Sequence, residues 1–280
     1  IIEQVPYFAE SAADFLKDSS GIVFIGSRPP VSFFAYPDKK SYLTPPETKI
    51  INLCSAEQDG LYALNSLVDE AGAININKNL LQNPISDVPK SGDLDASNLG
   101  LLIANLMPEN SIVSDEAATS SFLVTPQALK AKPHDWLCLT GGSIGQGLPL
   151  AVGAAIAKPE RPVITLHGDG GAMYTVQALW TQARENLNIT NIIFANHSYE
   201  ILKIELSRVG AVKTGQRADS MFSLDNPKLD WIKLSQSMGV PCYEPKTVED
   251  FIKNFSSCVR EDGPSTIPVS YTHLTLPTKA

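Results

Sequence analysis

The chain has 280 residues, a net charge of −8 and 43% hydrophobic residues, enough for one large domain or two ordinary ones with real cores. Acidic and basic residues are mixed along it, which excludes a basic face for nucleic acid and a polybasic patch for a membrane surface. No apolar run reaches the roughly 18 residues of a membrane span, and Cys54, Cys138, Cys242 and Cys258 form neither a C-x-x-C pair nor zinc-finger spacing with a histidine. The composition reads as a cytoplasmic protein with reduced thiols. The start, Ile1-Ile2-Glu3-Gln4, has no basic leader and no methionine, and reads as the middle of a longer protein.

Short apolar runs alternate with helical patterns, which predicts an α/β fold with a doubly wound parallel sheet, preceded by part of a second α/β domain. In the first unit, residues 1–75, Ala9–Lys17 is predicted as helix and Gly21–Gly26 as strand. Ile50–Leu53 is the next strand and Glu57–Ala71 the next helix. Residues 76–98 are polar and aperiodic, and read as a linker. The second unit, residues 99–267, is predicted to begin with a helix at Leu101–Met107 and a strand at Ser111–Asp115 that ends in an acid. Thr119–Leu129 reads as helix and Leu137–Leu139 as a short strand. A Gly-rich stretch, Thr140–Gly147, leads into a small-residue helix with Pro149 in its first turn. Pro162–Leu166 is a strand. The next helix carries Met173, Val176, Trp180, Ala183 and Leu187 on one face, read as core. Thr190–Ala195 is a strand, Asp230–Met238 a helix, Val240–Tyr243 a strand and Val248–Val259 a helix. Residues 268–280 show no alternation and no helical face, and read as a non-native or disordered tail.

The sharpest chemical signal is Gly168-Asp169-Gly170-Gly171, followed downstream by Asn196-His197-Ser198. A glycine loop after an apolar strand offers N–H groups to phosphate, yet an aspartate inside it repels phosphate. A divalent cation between the two removes the contradiction. A carboxylate plus an amide oxygen are hard ligands, suited to Mg²⁺ or Ca²⁺. In open α/β sheets ligands bind beyond the carboxyl ends of strands. The loops beginning at Asp115, Thr140, Gly168 and Asn196 all leave such ends. The competing reading of the Gly168 loop alone is an ordinary strand-to-helix turn.

These residues resemble the thiamine diphosphate-dependent enzymes. The wider match is Asp115–Ser120, then Thr140–Pro149, then HGDGGAMYTVQALWTQARENLNI, which looks like the acetolactate synthase and benzoylformate decarboxylase branch. It is close from Ser111 to about Gly210, and Ile22–Ser41 is similar to the later half of that family's central domain. The resemblance implies that Asp169 and Asn196 bind Mg²⁺ through side chains and Ser198 through its carbonyl. It places the diphosphate at Gly168 and on the N–H groups of Gly170, Gly171 and Ala172 at the helix N-terminus, with Ala118 and Thr119 beside it. Gly142 would offer its carbonyl to the aminopyrimidine, and Ile144 would be the apolar wedge that bends the cofactor; an ordinary core residue is the rival for Ile144. Tyr199, Glu200 and Ile201 would begin the helix bordering a pocket for a 2-oxo acid. The implied chemistry is decarboxylation, and carboligation in the acetolactate synthase manner, with the cofactor carrying the electrons released as CO₂ leaves.

The resemblance also implies a homodimer or tetramer of the full-length protein, and an activating glutamate on an N-terminal domain that these residues do not match. Glu57, Glu116 and Glu200 stand in the wrong segments to replace it, so no catalytic residue is assigned and this chain is expected to be inactive alone. Ala195 and His197 depart from the family's common asparagine and glycine. Some relatives bind a nucleotide such as FAD in the central domain; Arg28-Pro29-Pro30 and the Phe33-Phe34-Tyr36 cluster are the residues that could touch one, nothing else in the sequence supports a flavin, and a packed domain interface is the stronger reading of them. His134 and His167 read as structural. A Rossmann oxidoreductase fits less well, because Met173 stands where the third glycine belongs and the next strand ends in Asn196 instead of an acid. A non-catalytic cofactor-binding fragment or regulatory paralogue and a simple 2-oxo acid decarboxylase are the remaining alternatives.

Overall fold

The computed structural model describes residues 3–73, 87–128, 130–211 and 215–270, and the chain divides into two compact units, Ile1–Gln82 and Asn83–Ala280. In the first unit α1 (Ala9–Leu16) precedes β1 (Gly21–Ile25), β2 (Lys49–Cys54) and α2 (Gly60–Glu70). β1 and β2 pair in parallel, with Gly21 opposite Lys49. Asp59 caps α2 by accepting from the Tyr62 N–H at 3.0 Å. Among the described residues the buried apolar side chains here are few: Ala9, Ala12, Leu16, Phe24, Leu43 and Cys54.

The second unit runs α3 (Ala96–Leu106), β3 (Ile112–Glu116), a 3-10 turn (Ala118–Ser120), α4 (Ser121–Ala128), β4 (Asp135–Cys138), α5 (Gly147–Ala157), β5 (Val163–Gly168), α6 (Asp169–Ala172), α7 (Ala178–Arg184) and β6 (Ile189–Ala195). It continues through α8 (Glu200–Arg208), α9 (Gln216–Met221), α10 (Trp231–Ser237), α11 (Val248–Cys258) and β7 (Ser265–Ser270). The sheet order is β4-β3-β5-β6-β7, all parallel. Both faces are covered, as parallel sheets require. Leu102, Ile103, Phe251 and Phe255 cover one face, against Val113, Ile164, Leu166, Ile192 and Phe194. Leu148, Leu179 and Trp231 cover Ile193 and Ala195 on the other.

The first strand of this unit lies between the second and the third, so the chain winds one way from β3 to β4 and the other way from β5 onwards. The place where that direction reverses, between the carboxyl ends of β3 and β5, is where open α/β sheets leave a crevice. Glu116 and His167 are register partners there.

Several expectations need correction. Residues 268–270 are not a tail: Pro268, Val269 and Ser270 pair with Ile193, Phe194 and Ala195 in β7. A proline is tolerated because β7 is an edge strand, where a lost N–H breaks no inner ladder. Residues 271–280 lie outside the described residues. Val240–Tyr243 is not a strand; it makes one isolated bridge, Cys242 to Thr266. The helix expected through Met173 and Leu187 is broken in two, and Met173 and Trp180 are 37% and 51% exposed instead of core. Most of the expected linker lies outside the described residues. From Asp87 onwards the chain belongs with the second unit: Val88 and Leu94 pack on its core, and the Val248 N–H donates to the Gly92 carbonyl at 2.9 Å. Leu129, the expected helix end, is also outside the described residues.

Candidate functional site

Asp169 begins α6 immediately after β5 and is 1% exposed. Its Oδ1 accepts from the Gly170 N–H at 2.9 Å and its Oδ2 from the His197 N–H at 2.8 Å. Among the described residues its ion-pair-range neighbour is His197 Nδ1, at 3.8 Å. Burial pushes the Asp169 carboxyl above the ordinary aspartate range, against the pull of those two N–H groups. A carboxylate so placed favours a cation beside it.

The bond to His197 brings the Asn196-His197-Ser198 turn against Asp169. Asn196 Oδ1 accepts from the Ser198 N–H at 3.0 Å, which fixes the turn of the chain after β6. His197 takes φ 55°, the left-handed conformation that glycine adopts freely. The Ser198 hydroxyl lies 3.2 Å from both the Phe222 carbonyl and Glu200 Oε2, which share its one proton. Glu200 is thereby turned towards Ser198 and Lys203, whose Nζ lies 3.3 Å away. Tyr199 precedes α8, and its ring covers Gly170: a Cβ there would lie 2.6 Å from Tyr199 Cε1. Ile201 is half-buried in α8.

Gly170 is buried, and its N–H is already engaged by Asp169. Of the three N–H groups expected to face a diphosphate, that of Gly171 stays among the first N–H groups of α6, which have no acceptor inside the helix, whereas Ala172, four residues past the N-cap Gly168, is placed to donate back into the helix. Gly168 closes β5. Ala118 is exposed with φ 52°, an uncommon conformation for a residue with a Cβ, and Thr119 beside it is buried. Asp115 holds this turn: its Oδ1 accepts from the Ala117 N–H at 3.0 Å and from Ser121 Oγ at 2.7 Å.

The Thr140–Gly147 loop crosses the end of β3. Gly142 has φ 70°, and its carbonyl accepts from the Ile144 N–H at 2.9 Å, leaving one lone pair. Ile144 is 46% exposed, so it is no core residue. Gln146 braces the loop by accepting from the Thr140 N–H at 3.1 Å. A cleft of about 390 Å³ opens at the ends of β6 and β7, lined by Ala195, His197, Trp231 and Pro268 among others. No residue of the 140–147 loop lines it.

The donor chemistry fits a hard divalent ion. Among the described residues no three His, Cys, Asp or Glu side chains are gathered to hold a metal. A cation at Asp169 would therefore complete its shell with amide, backbone and phosphate oxygens, which suits Mg²⁺ and not Zn²⁺.

A family model described as "Thiamine pyrophosphate enzyme, C-terminal TPP binding domain" matches residues 119–269. The chain belongs to the thiamine pyrophosphate enzymes. A Mycobacterium tuberculosis protein named "Putative acetolactate synthase large subunit IlvX" is 42% identical over 275 residues, which cover 96% of this chain and 52% of that protein. Benzoylformate decarboxylase of Pseudomonas aeruginosa is 28% identical over 189 residues, 68% of this chain and 34% of that protein. The solved thiamine diphosphate-dependent 4-hydroxybenzoylformate decarboxylase of Rhodococcus jostii RHA1 shares the fold, with a TM-score of 0.74 at 23% identity, over 97% of this chain and 52% of that one. The chain thus spans about half the length of the first of these relatives. The match gives a thiamine diphosphate-binding domain. Among the described residues no helix is long and apolar enough to cross a membrane.

Sequence reasoning missed Glu116 and His167 as a pair. Both are buried, at 3% and 0% exposure, and His167 Nε2 lies 3.2 Å from Glu116 Oε2. The available signal was polar alternation within strands: Ser114 and Glu116 on β3, Thr165 and His167 on β5, share one face by period two.

Proposed function

We propose that this chain supplies the diphosphate-holding part of a thiamine diphosphate- and Mg²⁺-dependent enzyme acting on 2-oxo acids, of the acetolactate synthase kind: decarboxylation followed by carboligation. The observation that carries the reading is the buried Asp169 carboxylate drawn against the Asn196-His197-Ser198 turn by the His197 N–H. In this reading Asp169, Asn196 and the Ser198 carbonyl hold the cation, and the Gly171 N–H at the start of α6 receives the diphosphate. Gly142 and Ile144 meet the aminopyrimidine side. When bound, the cofactor supplies an electron sink for the carbanion released as CO₂ leaves. Tyr199 and the start of α8 wall the site and exclude water. A simple 2-oxo acid decarboxylase is the second reading, favoured by the named activities of the Pseudomonas and Rhodococcus relatives. A homodimeric or tetrameric full-length protein and inactivity of these 280 residues alone belong to the same proposal.

The test has two stages. Thiamine diphosphate with Mg²⁺ should raise the melting temperature of this chain, NAD should not, and chelation or Asp169→Asn should abolish the rise. Absence of any Mg²⁺-dependent rise would sink the reading. Product analysis of the full-length protein with pyruvate then separates acetolactate from acetaldehyde, and real turnover by this chain alone would refute the expected dependence on further residues.

A further inference from the structure

Glu116 ends β3 beneath the 140–147 loop, and its side chain is nearly inaccessible. Its Oε1 accepts from the Gly145 N–H and its Oε2 from the Gly147 N–H, each at 2.6 Å. Burial raises the carboxyl, but the His167 imidazole and these two N–H groups together outweigh it, so Glu116 sits below the ordinary glutamate range. Charge-assisted bonds of this length are the strong ones. They clamp the loop at two points, on either side of Gln146. Two further ties hold the same residues: Thr175 Oγ1 donates to the Gly145 carbonyl at 2.6 Å, and Ser114 Oγ to the Gly147 carbonyl at 2.9 Å.

The same carboxylate reaches the other side of the site. A Cβ on Gly171 would lie 3.1 Å from Glu116 Oε1 and 3.1 Å from His167 Cε1. A Cβ on Gly147 would lie 2.8 Å from His167 Cδ2 and 3.0 Å from Glu116 Cβ. One buried group therefore touches both the loop that presents Gly142 and Ile144 and the turn that carries Asp169. A glutamine could not serve equally. Its amide accepts through one atom only, and its NH₂ would face an N–H.

We infer that Glu116 is a positioning residue: it fixes the spacing between the Gly142–Ile144 loop and the Gly168–Ala172 turn, and so tunes the site to the thiamine portion of the cofactor and not merely to its diphosphate. The inference rests on the function proposed above. Its consequence is selective. Loosening the clamp moves the loop and leaves Asp169, Asn196 and the α6 N–H groups in place.

Two Mg²⁺-loaded probes separate these regions: thiamine diphosphate, which spans both, and inorganic pyrophosphate, which needs only the turn. Calorimetric binding to this chain should show Glu116→Gln weakening thiamine diphosphate by about tenfold or more while pyrophosphate changes by no more than about twofold. Thr175→Val, which cuts the tie on the Gly145 carbonyl and leaves the carboxylate untouched, should weaken thiamine diphosphate selectively by about threefold. It decides the matter if Glu116→Gln does not fold. Equal losses for both probes, or no loss for either, in the variants that fold would overturn the positioning role alone. A wild-type chain that binds neither probe would overturn the proposed function and this inference with it.

Discussion

Asp115 shows how a single half-buried acid organises the cofactor-side turn. It lies one residue before Glu116, yet alternation along β3 sends the two side chains to opposite faces. Burial raises the Asp115 carboxyl above the ordinary range, with the Ala117 N–H and the Ser121 and Thr125 hydroxyls partly opposing it. The sign follows from linkage. A carboxyl raised in the native state binds more protons folded than unfolded, so it adds stability as pH falls from above its folded value towards the ordinary value of about 3.9. Asp115→Asn removes that contribution. The stability of wild type relative to Asp115→Asn should therefore increase from pH 7 towards pH 4, as read by urea unfolding at each pH; a flat or opposite trend would exclude the burial argument. Little of this was legible in sequence. The acid at the strand end was visible, as were Asp169 and Asn196, because loop glycines and oxygen donors are rare in apolar strands. The neighbouring Glu116 could not be assigned, since its partners, Gly145 and Gly147, come from a loop beyond β4 and meet it only once α5 has crossed the sheet.

The break between α6 and α7 illustrates how tertiary ties override helical periodicity. Met173, Val176, Trp180, Ala183 and Leu187 keep helical spacing, yet the chain from Tyr174 to Leu179 runs in tight i to i+3 turns. The Thr175 hydroxyl is drawn to the Gly145 carbonyl, and Tyr174 lies against Gly145. This contact is non-local and invisible to a window of sequence. Strand existence was easier to read, because fully buried parallel strands are continuous apolar runs. Strand ends were harder: the expected tail began at Pro268, inside β7, because residues 268–280 show no alternation, and the edge position explains how the strand accepts the proline. The strands and α7 are in turn fixed by a polar cluster inside the core. Asn191 Nδ2 donates to Gln182 Oε1 at 2.7 Å and to the Ser265 carbonyl at 2.9 Å, and Thr165 Oγ1 donates to Asn191 Oδ1 at 2.5 Å. All of β5, β6, β7 and α7 meet at this one amide. Asn191→Ala leaves several buried partners unsatisfied and should cost about 2–4 kcal/mol. Urea unfolding should show a lowered midpoint with an unchanged slope. A loss below about 0.5 kcal/mol would mean water replaces the amide at little cost.

At the scale of the whole chain, the two units differ in how much core each possesses. The second unit has a five-stranded sheet covered on both faces. The first has a two-stranded sheet, and α2 buries no residue at all: Leu61 and Tyr62 are 71% and 72% exposed. Two strands with so few buried side chains are marginal in water. The first unit should thus unfold at lower temperature than the second. The sequence provides the means to see it, because Trp136, Trp180 and Trp231, all 3 tryptophans, belong to the second unit. Tryptophan fluorescence reports on that unit alone, while far-ultraviolet circular dichroism reports on both. Heating should give an early transition in dichroism that fluorescence does not follow, and a later one seen by both. Thiamine diphosphate with Mg²⁺ should shift only the later transition, since Asp169, Asn196 and the 140–147 loop all lie in the second unit and ligand stabilisation acts where the ligand binds. Coincident transitions by the two probes, moving together with ligand, would show instead that the units fold as one cooperative body.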